Sequence, residues 1–475
     1  MFCLKHIFLI ILHSMNNREN FASRMGFLLV AAGCAIGIGN VWRFPFITGQ
    51  SGGAAFVLIY LFFLVIFGLP ILMMEFSVGR GSGFGIAKAF DTLEKPGHKW
   101  HYAKYPMLVG NYVLMMFYTS VSGWMFYYFY DMVAVGDLMG KTPEQVGAHF
   151  GNLLASPSQM VFWMSLATIL GLGIVSLGLQ KGVERITKWM MSALFIIMVA
   201  LVVCVISLPG AGEGVKFYVL PDLDRLLEQG IWNVVFAALG QAFFTLSIGV
   251  GSMAIFGSYI KKDHSLPKEA LNICLLDTLV AILAGFIVIP ACFAFKLEPT
   301  QGPGLLFVTL PNVFNQMYGG RIFGGLFFLF LSFAALSTLI AVFENIVAFW
   351  IDIKHYPRKK VVLLNIVAVI LLSLPCALGF NLLSGFQPFG EGSCVLDLED
   401  FIISNTLLPL GAIVFVLFCT SRYGWGKDNF MKELNTGKGL KVSAKNKVLS
   451  VYFKYILPTI VLVVFLKGYY NKFFE

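Results

Sequence analysis

The chain has 475 residues, 58% hydrophobic and 12% charged, with a formal net charge of +9. A soluble domain carries about twice that charge fraction, and here the apolar residues gather in runs of roughly 20, the length that crosses a bilayer as a helix. Composition therefore excludes a soluble enzyme or binding module, and runs without apolar–polar alternation exclude a membrane β-barrel.

In chain order, residues 1–15, MFCLKHIFLIILHSM, come first. Their apolar core is too short to span, and no clean small-residue cleavage site follows. The reading favours Met15 as the natural start, with 1–14 a mis-called start, over a signal peptide or a membrane-surface anchor. Eleven spans follow, at about 24–50, 53–79, 105–133, 160–179, 189–208, 231–260, 271–297, 322–352, 361–379, 399–420 and 449–467. The fold class is thus an all-α polytopic membrane protein. The connections 80–104, 181–188, 261–268, 354–360 and 421–448 hold 22 of the 34 Lys and Arg. Positive residues mark the cytoplasmic side, so the N-terminus is expected inside and the C-terminus outside. The basic balance is mostly topology, and no surface of interleaved aromatic and basic residues remains for nucleic acid. The eight cysteines show no paired metal or redox spacing and read as packing residues. Of the connections, RYGWGKDNFMKELNTGKGLKVSAKNK reads as a solvated linker, whereas GPGLLFVTLPNVF is apolar and is expected to fold back on the protein.

Two interruptions stand out. AIGIGN at 35–40 lies in the middle of the first span, and SIGVGS at 247–252 in the middle of the sixth. Taken alone, Gly33 and Gly37 have the spacing of small residues that let helices pack closely. Packing does not require the same Gly-x-Gly interruption twice, however. A unit of five spans repeated once must be inverted in the membrane, and matched broken helices in two halves point to a transporter's binding site. The halves divide as 24–208 and 209–420, after a segment 1–23 and before a connection, last span and tail at 421–475. A dinucleotide fingerprint fails, because Trp42 stands where the third glycine belongs. A break exposes carbonyls that suit a hard cation, and amides at a helix N-terminus that suit a carboxylate. Asn40, Thr245 and Ser247 add neutral oxygens. Three acids lie within spans: Asp277, able to ligate a cation or carry a proton; Glu75, functional or a structural acceptor for a broken helix; and Glu344, placed to line an aqueous vestibule.

The stretches NNRENFASRMGFLLVAAGCAIGIGNVWRFPF, GLPILMMEFSVGRG, GQAFFTLSIGVGSMAIFGSYIKKD and FAALSTLIAVFENIVAFWID together resemble bacterial neurotransmitter:sodium symporters, from about residue 16 to the end. The resemblance implies a core of two inverted five-helix repeats with helices 1 and 6 broken, in an eleven-span form. It implies one sodium site from the Ala35 carbonyl, Asn40, Thr245 and Asp277, where the family often has Asn. A second sodium site is implied at the carbonyls of Gly33, Ile36 and Ala334 and the hydroxyls of Ser337 and Thr338. An amino-acid substrate is implied beside Ala35, with its carboxylate at the amides of Ile38 and Gly39 and the Tyr118 hydroxyl. Its ammonium falls at carbonyls near Phe244, Thr245 and Ser247. Relatives that move amines without a carboxylate place an aspartate where this chain has Gly37. The side-chain pocket is Leu114, Phe244, Val250, Leu339 and Val342. Arg43 and Asp400 match the outer gate above Phe244, and Arg18 and Asp352 the inner gate, supported by Ser258 and Tyr259. Animal members typically require chloride. Asp277 supplies a carboxylate in that region, so chloride is not expected to be needed.

The reading from sequence is a sodium-coupled importer of a neutral, hydrophobic or aromatic amino acid in a bacterial inner membrane. Proton coupling through Asp277 is the alternative within transport. A membrane amino-acid sensor is the alternative from another class. An intramembrane enzyme is disfavoured, because no His lies in a span core to serve a nucleophile or a metal.

Overall fold

The computed structural model describes residues 21–296, 304–443 and 447–474. Segment 1–15 and Arg18 lie outside these residues. Among them the chain is helical, and its only β feature is an isolated bridge between His264 and Lys438. Each expected span corresponds to helix. Helices α1 (Arg24–Ala35) and α2 (Gly39–Gln50) are halves of one span bent by 59°. Then come α3 (Ala54–Ser82), α4 (Lys104–Tyr130), α5 (Pro157–Ser176), α6 (Leu179–Ile206), α7 (Ile231–Phe244) and α8 (Ser252–Ser258). They are followed by α9 (Leu266–Ala294), α10 (Gly320–Lys354), α11 (Arg358–Leu378), α12 (Val395–Thr420) and α13 (Lys447–Phe473). Eight of these are long and apolar enough to cross a membrane alone, and the bent pair makes a ninth. The 27-residue α4 has the length but carries Asn, Ser and Thr along its course. The short helices α7 and α8 are the halves of a second interrupted span.

Helix α4 packs against α5, α10 and α11, and α5 also against α10 and α11, forming one group. A second group holds α1, α3, α8 and α9, with α7 on the first half of α3. Helix α1 runs between α6, α9 and α10, so the first break lies where the groups meet. Outward-facing Leu58, Phe62, Ile196, Val203 and Leu363 remain exposed, as a surface solvated by acyl chains requires.

Five helices share one local device. Pro45, Pro70, Pro311, Pro409 and Pro458 each stand second in an α-helical stretch that continues directly from a π-helical turn. A proline ring clashes with the carbonyl four residues back and offers no N–H to it. Widening the preceding turn moves that carbonyl aside, so the backbone stays bonded where lipid offers no partner.

Helices α3 and α8 approach backbone to backbone. A Cβ at Gly79 would lie 1.9 Å from the Ala254 carbonyl oxygen, and one at Gly257 2.6 Å from that of Phe76. Only hydrogen fits at both positions.

The connections give one agreement and one correction. Leu305, Leu306, Phe307, Leu310 and Phe314 are buried, so the described part of GPGLLFVTLPNVF does fold back on the protein. The basic connection after α12 is not a solvated linker. It forms the helix Lys427–Leu434, which buries Phe430, Met431 and Leu434 and packs on α3. Arg80 of α3 pins it, donating to Glu433 Oε1 and to the Glu433 carbonyl, each at 2.6 Å.

Candidate functional site

The first break begins where α1 ends at Ala35. Ile36 is extended (φ −69°, ψ 96°), and helix resumes in the wide turn Gly39–Arg43. Two glycines make room. A Cβ at Gly37 would lie 2.7 Å from the Tyr118 hydroxyl and 3.0 Å from Thr338 Oγ1, and one at Gly39 2.8 Å from the Phe244 ring. The second break runs from Thr245 to Gly251. Ser247 adopts the left-handed region (φ 50°), uncommon for a side-chain-bearing residue, and donates from its hydroxyl to the Cys34 carbonyl at 3.4 Å. Gly249, at φ 107°, donates its N–H to Glu75 Oε1 at 2.5 Å. Glu75 thus serves the broken helix as a buried acceptor placed just ahead of the N-terminus of α8.

Two oxygen-rich clusters lie at the first break. In one, Thr245 Oγ1 donates to Asp277 Oδ2 at 2.9 Å, and Asn40 Nδ2 donates to Asp277 Oδ1 at 2.8 Å, to its carbonyl at 3.1 Å and to Thr245 Oγ1 at 3.2 Å. All three side chains are buried. The Asn40 amide thus presents its donor edge to the carboxylate, while its Oδ1 accepts the Gly37 N–H at 3.3 Å. Turning that amide over, with loss of its bond from the Gly37 N–H, would present oxygens of three side chains, one of them a carboxyl group, to a cation in the place of the NH2 group. In the other cluster, Ser337 Oγ lies 3.0 Å from the Gly33 carbonyl and 2.9 Å from that of Ala334. Thr338 Oγ1 lies 3.2 Å from Gly33 O, 3.2 Å from Ile36 O and 3.4 Å from Ala334 O. Three carbonyls and two hydroxyls converge, a neutral oxygen shell of the type a hard monovalent cation takes.

Between the clusters, the Ile38 N–H donates to the Tyr118 hydroxyl at 3.2 Å. Gly39 follows under the Phe244 ring. Val250 lies on Gly110 of α4, and its carbonyl accepts from Asn111 Nδ2 at 3.0 Å. Leu114 and Val342 are buried. Leu339 differs from the rest: its Cβ lies against Gly171 of α5.

Beyond the first break, the Arg43 guanidinium lies over the Phe244 ring, 4.7 Å from its centroid. Asp400 accepts from Ser404 Oγ at 2.8 Å. Among the described residues no ion pair within 4 Å joins Arg43 and Asp400. At the opposite end the start of α1 is fastened by polar contacts. Glu184 accepts from the Ala22 N–H at 2.7 Å and from the Ser23 N–H and hydroxyl at 3.0 and 2.9 Å, and Arg24 pairs with Glu269 at 2.8 Å. Glu344 lines no vestibule. It is fully buried, accepting from Arg358 at 2.7 and 2.9 Å and from the Tyr259 hydroxyl at 3.1 Å. Asp352 lies near the end of α10, and its expected partner Arg18 is outside the described residues.

Several site residues escaped the sequence reading. Asn111 accepts from Ser252 Oγ at 3.3 Å and from Asn345 Nδ2 at 3.0 Å, tying α4, α8 and α10 to the second break. Gln241 donates to the Gly39 carbonyl at 3.2 Å, joining the two breaks. Their signal was an uncharged polar residue inside an apolar run, the weakest a span offers.

With this geometry in hand, comparison with known proteins gives a consistent result. The model of the sodium:neurotransmitter symporter family matches residues 18–137 and 148–473. An uncharacterized sodium-dependent transporter of Bacillus subtilis is 34% identical over 449 residues, covering 94% of this chain and 96% of the relative. One of Haemophilus influenzae is 32% identical over 467 residues, covering 95% and 98%. The crystal structure of MhsT in complex with L-phenylalanine superposes with a TM-score of 0.84 at 37% identity, over 95% of this chain and all of that one. The fold is therefore the expected one, with helices 1 and 6 broken in its two inverted repeats. This chain belongs to the sodium:neurotransmitter symporter family, the sodium-coupled membrane transporters.

Proposed function

We propose that this symporter imports a neutral, hydrophobic amino acid, with aromatic and large aliphatic side chains preferred, together with two sodium ions. The observation that carries the reading is the convergence of two distinct oxygen clusters on one break. One contains the carboxyl group of Asp277 and the other only carbonyl and hydroxyl oxygens. A zwitterion fits between them: the amides of Ile38 and Gly39 and the Tyr118 hydroxyl, now bonded to the Ile38 N–H, suit a carboxylate, which would complete the Asp277 cluster. Gly37 supports a substrate that brings its own carboxylate, because no side chain there supplies one. The buried apolar surroundings Leu114, Val250 and Val342 support a hydrophobic side chain, as does the phenylalanine bound to MhsT.

A difference between the two ends supports alternating access. Arg43 rests on Phe244 without pairing to Asp400, while Glu184, Glu269 and Glu344 fasten the other end. This asymmetry supports an arrangement open toward the outside, in which ions bind first and raise substrate affinity. Linkage makes that coupling reciprocal. The positive-inside bias supports a bacterial inner membrane with a cytoplasmic N-terminus and an extracytoplasmic C-terminus.

The test is uptake of labelled phenylalanine, leucine and alanine into proteoliposomes. Accumulation of the larger two under an inward sodium gradient is expected, without chloride. Equal accumulation under a proton gradient alone would replace sodium by proton coupling through Asp277, and binding without accumulation would favour a sensor.

A further inference from the structure

Where α12 turns into Ser421–Gly426, a cleft of about 700 Å³ opens between three separated chain segments. Lys95 comes from the connection after the helix Ile86–Leu93, Arg422 from the turn itself, Lys427 from the first position of the helix Lys427–Leu434 that follows it, and Lys454 from the start of α13. One carboxylate, Asp428, faces these four cations, and among the described residues none of the five is in an ion pair within 4 Å. The charge is held in place. Lys95 donates to the Arg422 carbonyl at 2.7 Å, and Trp100 Nε1 to the Tyr423 carbonyl at 2.7 Å, so the turn is bonded to the connection beside it. The Arg422 guanidinium lies over the Tyr423 ring at 4.7 Å and the Lys454 ammonium over the Tyr455 ring at 5.0 Å. Stacking on a ring face fixes a cation; Arg422 Nη2 also donates to the Tyr423 hydroxyl, and its other N–H groups remain for an acceptor.

A concave group of four held cations facing a single carboxylate keeps an excess of positive charge and recognises an oxyanion such as a phosphate. Its surroundings decide between a soluble phosphate and one carried by a lipid. Leu417 of α12 and Val451, Tyr455 and Ile456 of α13 are exposed beside the cleft, 37%, 50%, 57% and 47% respectively. A soluble anion has no use for that apolar wall, whereas acyl chains do. The cleft also belongs to the end of the bundle that carries most of the Lys and Arg, where a bilayer presents its headgroups.

We propose that this cleft binds the phosphodiester headgroup of an anionic phospholipid, whose acyl chains lie along α12 and α13. The inference rests on α12 and α13 crossing the bilayer and is independent of which solute is carried.

The test uses the full chain in neutral detergent, with native mass spectrometry and thermal unfolding read after adding phosphatidylglycerol, phosphatidylcholine with the same chains, or inorganic phosphate. Retention of phosphatidylglycerol over phosphatidylcholine is expected, with a higher unfolding temperature for the former alone. The triple variant Arg422→Gln/Lys427→Gln/Lys454→Gln should bind phosphatidylglycerol roughly 100-fold more weakly, each cation near a membrane surface being worth about a factor of five. Arg422→Lys/Lys427→Arg/Lys454→Arg should retain binding. Equal retention of phosphatidylcholine, or undiminished phosphatidylglycerol binding in the glutamine variant, would overturn the proposal. Stabilisation by inorganic phosphate alone would overturn the lipid assignment in favour of a soluble anion. If the glutamine variant does not fold, salt titration of the parent decides: phosphatidylglycerol must be released by sodium chloride, and salt-insensitive retention refutes the site.

Discussion

Asn40 Nδ2 lies 2.8 Å from Asp277 Oδ1, linking the first broken helix to the continuous α9 through a buried hydrogen bond. In this contact the amide NH2 supplies the partial positive charge that the proposed ion would supply in full. Thr245 Oγ1 completes the triangle at 2.9 Å from Asp277 Oδ2. Thr245→Val keeps the shape and removes the oxygen. We expect it to weaken sodium activation of transport by about 10- to 100-fold, the worth of one hydrogen bond or ligand to a charged group, with little change in unfolding temperature. Sodium titration of substrate binding checks this. Unchanged sodium dependence in both Thr245→Val and Asn40→Ala would show that no sodium binds here.

Ser337 and Thr338 address the neutral cluster separately. Each hydroxyl touches the Gly33 and Ala334 carbonyls, so either one alone leaves a partial shell. The single alanine variants should therefore shift the sodium activation curve to higher concentration, and the double variant should abolish sodium-driven uptake. A double variant with the parent's curve places the second ion elsewhere.

The two classes of glycine predict opposite failures. In Gly37→Ala the new methyl meets the Tyr118 hydroxyl at 2.7 Å and Thr338 Oγ1 at 3.0 Å, both ends of side chains that can shift. The protein should fold and lose substrate affinity at least tenfold. In Gly79→Ala the methyl meets the Ala254 carbonyl at 1.9 Å, a main-chain atom that cannot shift alone. Folded yield should fall sharply. Size-exclusion profiles and ligand binding, measured side by side, separate the outcomes.

Much of this site was legible because its signals are chemically expensive. Glycine pairs in an apolar span, and an aspartate within another, are tolerated only for a reason, so AIGIGN, SIGVGS and Asp277 marked themselves. Ser337 and Thr338 did not. A hydroxyl in a helix usually bonds its own backbone, as Ser332 and Thr168 do here, and only the resemblance to a family singled them out. The helix Lys427–Leu434 was invisible for another reason. Its apolar residues are few and its anchor, Arg80, lies 353 residues away in sequence, so the loop reads as solvated unless the partner is known. Glu344 was misplaced likewise, because Arg358 reaches it from the start of α11, beyond the turn that ends α10.

That Glu344–Arg358 pair predicts a stability effect. Glu344 is fully buried and Arg358 about a quarter exposed. Arg358→Ala leaves the Tyr259 hydroxyl as the remaining donor described for a buried carboxylate, costing about 3–5 kcal/mol. Adding Glu344→Gln removes the uncompensated charge and should restore most of the loss. Thermal unfolding of the single and double variants checks it. Equal unfolding temperatures for the parent and Arg358→Ala would mean the pair contributes nothing.

Asp277→Asn tests charge balance directly. The proposed two sodium ions and zwitterion would leave excess positive charge in a buried site, and a fixed carboxylate would offset part of it. The parent should transport equally in chloride and gluconate media, and the Asn variant should need chloride. Strict chloride dependence of the parent would refute the argument.

The contact between Gly79 and Ala254 has a mechanical meaning. Two rods whose main chains touch, with Glu75 bolted to the amide of Gly249, cannot slide past one another. Whatever swings when the carrier changes face, α8 and the second half of α3 must swing as one lever. The compliance then has to sit on the other side of the break, in Thr245–Ile248, where Ser247 already holds a sprung backbone angle. A spin-label pair on α3 and α8 should keep one fixed distance through every ionic condition, while a pair across Phe244 and Ser252 reads out the stroke.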